Sequence, residues 1–159
     1  MSVETFPLAW RWTDAKHALL PAEVLASIQP LDPTAARSIH DRWIGVFDDY
    51  GEVMPDHFTQ VEKRSTEGTW RGDACRRDPP LLEQVSGWLK QRESDRSLGV
   101  TVSWTHEWAV HTTWEIFTSW WDDFCYPGSD DAFVVPDDAR WLLAFHHEDQ
   151  FTFCHKPCG

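Results

Sequence analysis

The chain has 159 residues, enough for a single domain spanning 1–159 that holds its own core without disulfide or metal staples. Its 26 acidic and 14 basic residues give a formal net charge of −12, with no cationic stripe to track phosphates, which argues against direct nucleic-acid binding. No run approaches the roughly 18 apolar residues of a membrane span, and the start MSVETFPLAW lacks the regions of a signal peptide, so a cytoplasmic protein off the membrane is expected.

The run AEVLASI after Pro21 reads as a helix that Pro30 ends. Asp32 then caps a second helix that starts at Pro33 and runs to about Phe47, with Ala36, Ile39, Trp43 and Phe47 at helical spacing on its inner face. Residues 48–78 carry Gly51, Pro55, Gly68 and Gly72 and read as a loop-rich connection, with a short helix over Met54 to Arg64. Beyond Pro79 and Pro80, Leu81, Val85, Trp88 and Leu89 recur on one face and predict an amphipathic helix ending near Glu93.

From Ser97 the period changes. Leu98, Val100, Val102 and Trp104 alternate as in a half-buried strand, and a second strand follows through Trp108 to His111. Thr112 or Thr113 caps a helix over TTWEIFTSWWDDF, with Trp114, Phe117 and Trp121 as its apolar stripe and Trp120 on the flank. The end reads as a β-meander of strands at 132–135, 141–146 and 150–155, whose turns hold Asp137, Asp138, Glu148 and Asp149 in water. The expected fold is α+β, with helices on one face of an antiparallel sheet of about four or five strands.

Charge concentrates where this grammar is clearest. Between residues 107 and 149 ten carboxylates face one cation, Arg140, and five Trp lie in the same stretch, so the charge sits on a segment able to fold. Eleven Trp exceed the usual need of a core, and those left exposed would serve as contact anchors or as the face of a homodimer. The plainer account makes them large core fillers.

The signals for catalysis are weaker. GxSxG, GxxxxGK, GxGxxG and HExxH are absent, and the adjacent acidic pairs sit in turns where both carboxyls would keep similar, solvated environments. His111, His146, His147 and Glu148 fall in or beside the predicted sheet and form the alternative, a metal site for a metal-dependent hydrolase or metal-binding protein. Cys154 and Cys158 in CHKPC have the gap of a loose zinc half-site, with Cys75 and Cys125 to complete it; free thiols are the default reading of all four. No cofactor is expected.

The motif order LPAEVLASIQPL, HEWAVHTTWEIFTSWWDDFCYPGSDDAFVVPD and WLLAFHHEDQFTF resembles small bacterial immunity-type proteins of polymorphic toxin systems, chiefly over the C-terminal third. Tyr126, Pro127, Ser129, Asp130, Asp131, Trp141, His147, Glu148 and Phe153 carry the resemblance. It implies a non-enzymatic inhibitor that covers an essential surface of a cognate toxin. A toxin with a basic surface would suit the charge. The contact surface is then expected from Trp120, Asp122, Asp123, Tyr126, Asp130, Asp131, Asp137 and Asp138.

Overall fold

The computed structural model describes residues 1–71 and 76–157. Near the N-terminus Phe6, Leu8 and Trp12 turn inward around a one-turn helix α1 (Trp10–Thr13), which sequence periodicity had not marked. Helix α2 (Ala22–Leu25) is shorter than AEVLASI suggested and leads into a two-residue edge strand β1 (Gln29–Pro30), where the missing N–H of Pro30 is tolerated. Helix α3 (Pro33–Trp43) starts where expected: Asp32 Oδ1 accepts the backbone N–H of Thr34 and Ala35, both at 3.0 Å. Replacing Asp32 by alanine should therefore lower unfolding free energy by about 1 kcal/mol, measured by urea denaturation.

The segment expected to hold a short helix contains a strand instead. β2 (Phe58–Ser65) follows a single 3-10 turn at Pro55–His57 and pairs with the C-terminal strand over nearly its whole length. As an outer strand it alternates poorly and carries Glu62, Lys63 and Arg64, charges that protect a sheet edge from further pairing. A small hairpin, β3 (Trp70–Arg71) with β4 (Arg76–Arg77), places Trp70 opposite Arg77.

Helix α4 (Pro79–Lys90) buries Val85 and Leu89, and strands β5 (Gly99–Ser103) and β6 (Ala109–Thr113) follow it. Thr113 caps α5 (Trp114–Ser119), Trp120 breaks the helix, and α6 (Trp121–Phe124) adds one more turn. The meander then appears as expected: β7 (Ala132–Pro136), β8 (Trp141–His146) and β9 (Gln150–Pro157).

The fold is α+β, with a seven-stranded sheet in the order β1-β6-β5-β7-β8-β9-β2 and every neighbouring pair antiparallel. That is more strands than predicted, because β1 and β2 lack the apolar alternation of interior strands. On one face α1, α4, α5 and α6 pack Trp12, Leu89, Trp114, Phe117 and Phe124 against Val102, Val134, Leu143 and Phe153. The opposite face is covered too: Trp43 of α3, with Val46 and Phe58, packs on Phe133, Val135, Leu142 and Cys154. Two-sided cover explains why β7 and β8 are buried at every residue rather than at alternate ones. Among the described residues no helix is long and apolar enough to cross a membrane.

Candidate functional site

The break at Trp120 orients the acidic end of the helix. Trp121 and Phe124 enter the core, and Asp122 and Asp123, between them, are buried against Arg77 of β4. Arg77 Nε lies 3.1 Å from Asp122 Oδ2, and Nη2 lies 2.7 Å from Asp123 Oδ1. The guanidinium in turn stacks 4.4 Å from the ring centre of Trp70, its partner across the hairpin. One cation thus serves two desolvated carboxylates. Burial raises both carboxyls, and Asp123 reaches about 7 because the charge of Asp122 adds to desolvation while Arg77 offsets only part.

These residues edge a surface groove of about 410 Å³ between α4 and the α5–α6 break, lined by Glu83, Ser86, Lys90, Trp120, Asp122 and Asp123 among others. Half-buried Trp120 forms part of its wall.

A second buried pair lies alongside. Arg11 of α1 donates to both carboxylate oxygens of Asp130, at 2.8 Å through Nη2, and Asp130 Oδ2 also accepts the Tyr126 backbone N–H at 2.7 Å. Both side chains are almost fully enclosed. The Arg11 guanidinium sits 4.5 Å from the Tyr126 ring centre, and Trp10 and Trp70 meet the same ring edge-on. Burial first, then the nearby charge of Asp123, pushes the Tyr126 hydroxyl up to about 12, and that buried oxygen has no hydrogen-bond partner among the described residues.

Asp122, Asp123 and Asp130 are therefore internal ion-pair members, not the water-facing anions that their sequence context suggested. Asp131, Asp137 and Asp138 do remain exposed, but Asp131 precedes β7 and the other two follow it, at opposite ends of the strand. The eight residues do not share one surface. Asp137 bonds the His111 ring at 3.0 Å, and Asp138 pairs at 2.9 Å with Arg140, which also reaches the buried Glu93 carboxylate. Asp131 bonds both the His147 backbone N–H and its ring Nδ1 at 3.0 Å, which raises the affinity of that imidazole for its proton.

The histidines divide in the same way. His111 stands with Asp137, away from the β8–β9 turn that carries His146, His147 and Glu148. Ligand atoms of Asp131, His146 and His147 lie within 4.8 Å of one another, as do those of Glu52, His146 and Glu148. Glu52 and Asp131 join these groups from segments away from the turn in the chain, so no local spacing in the sequence points to them. Neither Arg11 nor Arg77 carries a local signal either; their importance arises only from the carboxylates placed beside them.

Cys125 and Cys154 are free and buried, with burial pushing the Cys154 thiol up to about 12, so neither offers a ready thiolate. Cys75 and Cys158, and with them the CHKPC half-site, lie outside the described residues.

A family model described as "Protein of unknown function (DUF2947)" covers residues 1–154 of the chain. No curated protein and no solved structure matches it.

Proposed function

This chain belongs to the DUF2947 family, and we propose that it is a non-enzymatic, cytoplasmic immunity-type protein that binds and neutralises a cognate bacterial toxin with a basic surface. The observation that carries this reading is the α4–α6 groove, where Trp120 stands beside two carboxylates that share one guanidinium. A Lys or Arg side chain entering the groove would take the place of the proton that this enclosed pair holds near neutral pH, in surroundings where a charge interaction is stronger than at an open surface. Trp120, in the groove wall, would supply an aromatic side chain for cation–π contact with the same group. Exposed Glu83 stands at the groove, and the net charge of −12 favours capture of a cationic protein over long range.

The pairing of Asp122, Asp123 and Asp130 moves the informative mutations away from those residues, since changing them disturbs the fold. Trp120→Ala and Glu83→Lys are expected to weaken binding of the purified toxin encoded beside the gene by roughly tenfold or more each, the scale of an interface hot spot. Circular dichroism should stay that of the parent. Undiminished affinity in both variants would remove the groove from the interface, and failure of the parent protein to inhibit that toxin would remove the function.

A further inference from the structure

We propose that Asp131, His146 and His147 form a binding site for a divalent first-row transition-metal ion such as Zn²⁺. Two imidazoles and one carboxylate are a donor set that such ions accept readily, with a position left for water. In tetrahedral coordination the ligand atoms stand about 3.3 Å apart, given metal–ligand bonds near 2.0–2.1 Å. Asp131 and the His147 ring are already 3.0 Å apart, and all three ligand atoms lie within 4.8 Å, so the site closes by small side-chain movements. Asp131 and His147 are about half exposed and free to make them.

His146 supplies the independent observation. It is 9% exposed, its Nδ1 accepts the Glu148 backbone N–H at 3.2 Å, and its buried Nε2 has no partner among the described residues. An imidazole nitrogen held out of water without a partner is a cost that a ligand removes. A metal bound through Nε2 moves the proton there to Nδ1 and gives up the long bond from Glu148, whereas one bound through Nδ1 takes the place of that bond directly. The overlapping group of Glu52, His146 and Glu148 offers one nitrogen and two carboxylates, a harder set less suited to these ions, and its two acids are not pre-paired with an imidazole.

An ion at this place would tie the β8–β9 turn, through His147, to Asp131, the residue just before β7. The site is independent of the α4–α6 groove, so its failure leaves the toxin-binding reading untouched.

The test is calorimetric titration of ZnCl₂ into protein purified without a polyhistidine tag and stripped with a chelator. We expect about one equivalent bound, at least tenfold weaker in His147→Ala and in Asp131→Asn, the scale on which losing part of a metal's ligand set is felt. His111→Ala should bind as the parent does, and thermal melting of the parent should rise with zinc. Circular dichroism of His147→Ala, whose ring is half exposed, separates loss of the site from loss of the fold. No binding by the parent, unchanged affinity in the His147 and Asp131 variants, or loss confined to Glu52→Gln and Glu148→Gln would each overturn the assignment.

Discussion

Asp130→Ala is expected to lower the unfolding free energy by about 3–5 kcal/mol, the range for removing one partner of a buried ion pair. The loss comes mostly from what is left behind. Arg11, 5% exposed, would keep its charge with the Phe124 carbonyl and three aromatic faces for company, and the Tyr126 backbone N–H would lose its acceptor. Asp130→Asn retains an acceptor for that N–H and should fall between alanine and the parent. The Arg11→Met, Asp130→Leu double variant should recover part of the loss, since an apolar pair leaves no orphan charge. By contrast Asp131→Ala, next in the chain but half exposed, should change stability by no more than about 1 kcal/mol. Urea denaturation of these variants reads the comparison directly, and equal effects at 130 and 131 would show that burial of the pair contributes nothing.

The second large effect is a pH dependence of unusual sign. Most paired carboxyls have folded pKa values below their unfolded ones and stabilise more as pH rises. Asp123 does the reverse: desolvation and Asp122 together raise it from 3.8 to about 7 despite Arg77. Between those values the folded chain binds a proton that the unfolded chain has released. The associated stability is complete below about pH 4 and is lost as pH rises through about 7. Because the two acids are adjacent, the proton belongs to the pair.

In Asp123→Asn the contribution of Asp123 disappears, and only the dependence of Asp122, raised by its own burial against Arg77, remains. Between pH 5 and pH 8 the parent should therefore lose roughly 2 kcal/mol relative to Asp123→Asn, from 1.36 kcal/mol per pH unit and proton. Urea midpoints at four pH values for both proteins measure it. A difference that stays flat, or runs the other way, would mean that Arg77 neutralises both acids fully.

The parts of the fold that could be read from residues alone share a physical basis. Asp32 before Pro33, Thr113 before Trp114 and the apolar runs in the meander act through bonds and packing that a few neighbouring residues specify, and each element begins where it was expected, although the helix from Pro33 ends at Trp43 rather than near Phe47. β2 escaped because an outer strand is held by backbone pairing to β9 and leaves little apolar alternation to find. The break at Trp120 escaped because the sequence offers neither Gly nor Pro there.

For the candidate sites the division is sharper. Composition fixed the net charge, the abundance of Trp and the presence of histidines around one turn. Asp122–Asp123 and Asp137–Asp138 are the same dipeptide, yet the first pair is enclosed beside Arg77 while the second stands in water at the end of β7. Desolvation and Coulomb forces act through space, and Arg11, Arg77 and Glu52 reach their partners only once the sheet and its two covering layers have assembled. Local sequence therefore determined which groups carry charge, and tertiary structure decided which of those charges a partner could meet.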